Sequence, residues 1–146
     1  MRRGGRLDYT RTHAVSTRWL LVLGSDAGSG EPVETALAAL RALGKVEALT
    51  PSRRFQDDDG TGRWFTNRLV RLETGAGRDG LREALRAVEQ RIGRSEQSDA
   101  VVIDIDLLAC DADGAGWRLD QHAVEKAEHR RPHVVALLAE AGIALE

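Results

Sequence analysis

An almost continuous apolar run, residues 100–109, constrains the fold of this chain more than any other segment. Two carboxylates, Asp104 and Asp106, interrupt it, and β-branched residues are frequent before and between them. This composition favours a strand that is buried on both faces. Because side chains alternate along a strand, both aspartates should project from the same face, with Cα atoms about 7 Å apart at a rise of about 3.3 Å per residue.

The aspartate pair predicts one of two environments. Two like charges next to a core are costly to bury unless a cation joins them. Mg²⁺, which takes oxygen ligands and retains water, is the simplest such cation. The alternative is a strand end that reaches solvent, where both carboxylates are hydrated.

Composition limits the classes of protein to consider. A chain of 146 residues that is 42% hydrophobic and 30% charged fits one domain with a normal core. A formal net charge of −2 gives no reason to expect nucleic acid as a partner, although a local phosphate site is possible. The lone Cys110 excludes an internal disulfide, fits a reducing, cytoplasmic location, and is expected to be an inert buried thiol. No apolar run approaches the roughly 20 residues of a membrane span.

The first 18 residues differ from the rest of the chain. They contain five arginines and one acid, Asp8, but no apolar region as long as that of a signal peptide follows them. We expect a disordered tail or a start codon annotated too early, with a transit peptide as a third option, and a single domain over residues 19–146.

The remaining sequence alternates strand and helix patterns. Strands are predicted at 18–23, 45–50, 64–73 and 100–109, with a possible short strand at 117–119; helices are predicted at 32–43, 79–92 and 132–142. A Gly-rich loop, 24–30, lacks the endings of the known nucleotide-binding loops, and residues 51–62, which include three consecutive aspartates, are predicted to be a mobile loop.

This β-α-β-β-α-β order, followed by a helix, indicates an α+β, ferredoxin-like sandwich. We expect helices on one face of a four-stranded antiparallel sheet. The first and last strands should be central neighbours, which would place the Gly24 loop beside Asp104 and Asp106.

Four segments, in order, resemble the 6-hydroxymethyl-7,8-dihydropterin pyrophosphokinase family. Residues 23–26 resemble its L-G-S-N motif, and residues 65–74 resemble F-L-N-x-V-x-x-x-E-T. Residues 88–94 resemble I-E-x-x-x-G-R, and residues 103–108 resemble L-D-L-D-I-L. The likeness spans roughly residues 20–140.

The resemblance implies transfer of pyrophosphate from ATP to a pterin alcohol in folate biosynthesis. Asp104 and Asp106 would hold two Mg²⁺ ions that bridge the ATP phosphates. Phe65 would stack on the pterin, although a core aromatic is the alternative, and Asn67 would hydrogen-bond its edge. Gly24 and Ser25 would complete the substrate side.

The resemblance also implies a set of cationic phosphate contacts. These are Arg94, Arg118 and His122, counted with the aspartates as catalytic, and Arg94 again with Arg130 or Arg131 at the nucleotide. The acidic Glu89 is also assigned to the nucleotide site. Isolated arginines are more often solvated surface charges. His129 and His133 have helical spacing, but no further ligand accompanies them, so we expect no zinc site. ATP and the pterin are the only expected partners, without nucleic acid or membrane, and we expect a monomer or weak dimer.

Three departures from the family bear on its activity. Val101 stands where the family has an arginine, and loss of one such donor commonly costs about 10²–10³-fold in rate. Residues 52–63 form a shorter loop than usual, and Asp26 replaces an asparagine, which would add negative charge near the pyrophosphate. A slow enzyme and a non-catalytic nucleotide- or pterin-binding module therefore remain alternatives. An RNA-binding domain is disfavoured because three Trp, one Tyr and two Phe supply few stacking residues.

Overall fold

The computed structural model describes residues 16–57, 59–93 and 102–145. Within these ranges, the strands are β1 Thr17–Ser25, β2 Lys45–Ala48, β3 Arg53–Gln56, β4 Trp64–Thr74, β5 Asp104–Asp111 and β6 Arg118–Leu119. The helices are α1 Glu31–Leu40, α2 Arg78–Gly93, α3 Gln121–Glu125 and α4 Pro132–Ala141, and a 3-10 turn covers Glu128–Arg130. The α+β class is confirmed.

The sheet is antiparallel, in the order β2-β4-β1-β5-β6, and β3 also pairs with β4. The predicted adjacency of β1 and β5 is confirmed, but the prediction that both are central is wrong. Strand β4 shares the centre with β1, because its length lets it pair with β1 along one edge and with β2 and β3 along the other. Only the two-residue β6 lies beyond β5.

Helices cover both faces of this sheet, which corrects the expectation of one covered face. Strand β1 is buried from Trp19 to Ser25, so each of its faces needs apolar cover. Leu21 and Leu23 pack in a core with α1 and α2. Leu20 and Val22 pack in a second core with α3 and α4.

Two elements were missed by the sequence prediction. Strand β3 lies inside the segment expected to be a mobile loop; its backbone pairs with residues 64–67 of β4, and Phe55 is its one half-buried side chain. An edge strand of charged residues lacks the apolar alternation by which strands are predicted, so β3 could not be predicted from its sequence. Helix α3 has five residues, too few for a periodicity, and is capped by Asp120, which accepts the His122 N–H at 3.1 Å.

Several boundaries also moved. Strand β5 begins at Asp104 and continues to Asp111, past the predicted end at residue 109, so Cys110 lies within the strand. Cys110 is half-buried and not fully buried as expected. Burial still raises the pKa of its thiol, which fits the expected inert role. Helix α4 begins at Pro132, as predicted, and ends at Ala141; Gly142, which follows it, has a φ of 72°, the left-handed value that favours glycine.

The predicted tail falls almost wholly outside the described residues. Strand β1 begins at Thr17, and the Ser16 hydroxyl donates to Glu73 at 3.1 Å. None of the helices in the described ranges is both long and apolar enough to cross a membrane.

Candidate active site

Three neighbouring strands place Asn67, Gly24 and Asp104 in one row across the sheet. Gly24 of β1 lies opposite Asn67 of β4 on one side and Asp104 of β5 on the other. A Cβ at position 24 would lie 2.7 Å from Asn67 Nδ2, which is closer than real Cβ contacts. Glycine at this position therefore lets the amide of Asn67 lie over the β1 backbone, where Nδ2 donates to the Leu23 carbonyl at 3.5 Å.

Asp104 and Asp106 project from one face of β5, as the alternation of the sequence predicts. Between them, Ile105 is buried in the core beneath α1 and α2. Both aspartates line two cavities, one of about 230 Å³ and one of about 200 Å³. The carboxylates thus form the wall that these two cavities share.

The first cavity, which we call the aromatic cavity, lies above β1, β3 and β4. Besides the two aspartates it is lined by Gly24, Phe55, Gln56, Asp57, Phe65, Asn67, Glu128, Arg131, Pro132 and His133. The Phe55 and His133 rings have centroids 6.0 Å apart, with their planes tilted by 52°. Aromatic rings can stack on a flat heterocycle, and a buried amide beside them can hydrogen-bond to its polar edge.

The second cavity, which we call the basic cavity, lies between α2, β5 and α3. Besides the two aspartates it is lined by Arg82, Leu85, Arg86, Glu89, Ile105, Leu107, Asp120, His122 and Lys126. Three positive side chains and a histidine beside two carboxylates suit a ligand that carries phosphates and a cation together.

The pKa values of two carboxyl groups, Asp106 of the shared wall and Glu89 of the basic cavity, are raised. The pKa of Asp106 is raised to about 7, chiefly by burial and then by the negative charges of Asp104, Glu128 and Glu89. The pKa of Glu89 is also raised, chiefly by burial, even though its carboxylate accepts the Ile105 N–H at 2.7 Å. Such a cluster of acids gains from a cation that neutralises it.

The donor set at this wall fits Mg²⁺ better than a fully protein-ligated metal. The described residues contain no group of three or more His, Cys, Asp or Glu side chains arranged to hold an ion. Mg²⁺ is commonly held by one or two carboxylates, with phosphate oxygens and water as its other ligands. Asp104 and Asp106 supply that pair.

Comparison with protein families decides the assignment. The model of the 7,8-dihydro-6-hydroxymethylpterin-pyrophosphokinase (HPPK) family matches residues 20–142. The chain belongs to this family. A search of curated proteins found no match. HPPK-family proteins are pterin pyrophosphokinases of folate biosynthesis that use ATP and Mg²⁺.

The residues expected from HPPK motifs are only partly brought together. Phe65, Asn67 and Gly24 line the aromatic cavity, and Glu89 and His122 line the basic cavity. Ser25 is fully buried, and its hydroxyl accepts the Ala27 N–H at 3.1 Å. Its contact with substrate stays a prediction.

The expected cationic residues are scattered. Arg131 lines the aromatic cavity, and its guanidinium lies 4.0 Å from the Asp57 carboxylate. Arg118 is exposed on β6 opposite Cys110, and Arg130 is exposed in the 3-10 turn. These two stay predictions, while Arg94 and Val101 lie outside the described residues.

One expectation about charge is wrong. Asp26 does not add a free negative charge to the site, because it is paired with Arg63 at 2.7 Å. Among the described residues, the walls of the two cavities do not include Asp26.

Sequence reasoning missed most of the basic cavity. Arg82 and Arg86 precede Glu89 by seven and three residues, so the three share one face of α2, and this spacing could have identified them. Lys126 directly follows α3, a helix that the sequence did not predict.

Proposed function

We propose that this HPPK-family chain transfers pyrophosphate from ATP to 6-hydroxymethyl-7,8-dihydropterin with the help of Mg²⁺. One observation carries the proposal: Asp104 and Asp106 form the wall shared by an aromatic and a basic cavity. A reaction between a flat ring and a polyphosphate needs these two environments to meet at a cation-binding wall.

The aromatic cavity is the proposed pterin site. Phe65, Phe55 and His133 offer ring faces, and the buried Asn67 amide offers both a donor and an acceptor to the polar edge of the heterocycle. The register of Asn67, Gly24 and Asp104 across the sheet then sets the distance between the pterin edge that Asn67 binds and the wall formed by Asp104 and Asp106. The hydroxymethyl group would face that wall.

The basic cavity is the proposed nucleotide site. Arg82, Arg86 and Lys126 can contact phosphate oxygens, and His122 lies at the start of α3 in the same wall. When bound, Mg²⁺ supplies positive charge that screens the phosphates from the attacking oxygen. Asp104 and Asp106 would orient that complex, while the cations of the cavity hold the chain of phosphates in line.

The side chain at position 101 suggests that turnover is slow. Valine cannot donate the hydrogen bonds of the arginine found in the family motif. A second candidate function, ligand binding without transfer, is favoured by the same residue. The two functions differ in chemistry and not in ligand affinity, so one assay separates them.

The assay measures binding of pterin and MgATP together with pterin-dependent release of AMP. We expect both ligands to bind and AMP to appear slowly, and Asp106→Asn to bind pterin without releasing AMP. Asp113→Asn, in the exposed turn after β5, is the matched control and should behave as the wild type. Binding of both ligands without AMP release would establish the binding module, and failure to bind either ligand would contradict both functions.

A further inference from the structure

Arg63 links a buried carboxylate to the ring of Phe65. Its guanidinium lies 2.7 Å from Asp26 Oδ2, and its Cζ lies 5.2 Å from the centroid of the Phe65 ring. Asp26 directly follows β1, and Arg63 directly precedes β4. One side chain thus connects the end of the central strand to an aromatic residue of the proposed pterin site.

This contact differs from an ordinary surface ion pair. The Asp26 side chain is only 8% exposed, while that of Arg63 is 50% exposed. Asp26 Oδ1 is buried and has no hydrogen-bond partner among the described residues. The buried charge of Asp26 therefore depends on Arg63, and breaking such a pair costs more than breaking a solvated one.

The chemistry of arginine suits both contacts at once. A planar guanidinium can lie over a ring with its face and hydrogen-bond with its edge, which an ammonium group cannot do. Strands β3 and β4 form a hairpin. At its open loop, the Asp57 N–H donates to the Arg63 carbonyl at 2.7 Å, which holds the backbone of Arg63 in place. The side chain and the backbone of Arg63 are therefore both fixed.

Arg63 touches Phe65 from outside the aromatic cavity. Phe65 lines that cavity, whereas Arg63 and Asp26 are not among the described residues of its wall. We infer that Arg63, held by Asp26, is a positioning residue that fixes the Phe65 ring for stacking on the pterin. This inference rests on the proposed function, because it assigns the pterin to the aromatic cavity.

The hairpin offers a matched control. Arg54 of β3 lies over Trp64, with its Cζ 5.7 Å from the ring centroid, so it makes the same type of contact with the neighbouring aromatic. Trp64 is 49% exposed, and neither residue lines the aromatic cavity. Arg54→Gln removes one arginine–ring contact from the same hairpin without touching Phe65.

The experiment measures the Kd for 6-hydroxymethylpterin and, separately, for an unreactive MgATP analogue. We expect Arg63→Gln and Asp26→Asn each to weaken pterin binding by about three- to tenfold, the range of one stacked cation contact, and to leave nucleotide binding unchanged. The double variant should be no weaker than the single variants, because both remove the same unit. Arg63→Lys should recover only part of the loss, and Arg54→Gln should match the wild type.

Other results would overturn the inference. Arg63→Gln with wild-type pterin affinity would overturn it alone and leave the proposed function standing. Equal weakening of pterin and nucleotide would show a merely structural role and would also overturn it. A wild-type protein that does not bind the pterin would contradict the proposed function, and the inference would fall with it.

Discussion

The backbone N–H of Ile105 donates a hydrogen bond of 2.7 Å to the carboxylate of Glu89. This bond ties α2 to β5 at the residue between Asp104 and Asp106. Because Glu89 also contributes to the raised pKa of Asp106, its charge and its acceptor atom act on the same wall. The two contributions can be separated by mutation.

Replacing Glu89 by glutamine should keep an acceptor for Ile105 and remove one negative charge. We therefore expect the pKa of Asp106 to fall below its wild-type value of about 7 in Glu89→Gln. A carboxyl NMR titration of the metal-free protein measures this directly. An unchanged or higher pKa would show that Glu89 does not act electrostatically on Asp106.

The raised pKa of Asp106 predicts a pH dependence of stability. The pKa lies at about 7 in the fold against an ordinary value of 3.8, so the folded state binds this proton more tightly than the unfolded state. Stability from this group is fully present below the unfolded pKa and is lost as pH rises through about 7. The loss approaches roughly 1.4 kcal/mol per unit of pKa difference.

The asparagine of Asp106→Asn is neutral, like the protonated carboxyl group of Asp106. The variant should therefore keep the stability that the wild type loses as Asp106 ionises. Without Mg²⁺, the variant should gain stability over the wild type between about pH 5 and about pH 8 in urea unfolding. Asp113→Asn is the control. A constant difference between Asp106→Asn and wild type across that range would contradict the raised pKa.

Arg78 and Asp120 form a second pair that governs stability. Two hydrogen bonds, of 2.7 and 2.9 Å, join the start of α2 to the residue that caps α3. Burial pushes the pKa of Asp120 upward, but the hydrogen bond and charge of Arg78 outweigh it, and the pKa is lowered overall. Asp120 thus contributes stability that is present above its unfolded pKa and is lost as pH falls through its folded pKa.

Asp120→Ala should therefore destabilise the protein by about 2 kcal/mol, a value discounted because Arg78 is partly exposed. The substitution removes both the N-terminal cap of α3 and the mostly buried carboxylate that pairs with Arg78. Denaturant unfolding at neutral pH measures the change. Glu140→Gln, at the exposed pair with Arg53, is the control and should have little effect; equal effects of the two variants would contradict the account.

Gly24→Ala should damage the proposed pterin site more than the fold. The added Cβ would lie 2.7 Å from Asn67 Nδ2 and would push the amide from its place. We expect pterin affinity to fall by about tenfold or more, the order of one lost hydrogen bond to a buried group. Gly28→Ala, where the added Cβ meets nothing within 4 Å, should bind as the wild type; equal affinity in the two variants would exclude Asn67 from recognition.

The sequence predicted the parts of the site that follow from strand geometry. Alternation alone places Asp104 and Asp106 on one face, and the pairing of the first and last long strands brings Gly24 beside them. The ordered motifs indicated the place of Asn67 and Phe65. The strand pairing follows from the order of the elements, and the other features depend on local pattern, which a single sequence carries.

The remaining features depend on tertiary contacts that no local pattern encodes. Asp26 and Arg63 are 37 residues apart, and only the pairing of β1 with β4 brings them together. Lys126 lines the basic cavity at the end of a five-residue helix that the sequence did not predict. Strand β3 was hidden because its pairing with β4, and not its own composition, makes it a strand.

The most direct test of the proposed function follows the fate of the β-phosphate of ATP. The protein is incubated with Mg²⁺, 6-hydroxymethyl-7,8-dihydropterin and ATP labelled at its β-phosphate, and the products are separated and weighed by mass spectrometry. The account predicts a pterin product that has gained a pyrophosphate group and carries the label, together with unlabelled AMP, and neither product with Asp106→Asn. Label found only in ADP, or remaining entirely in ATP while both ligands bind, would contradict it.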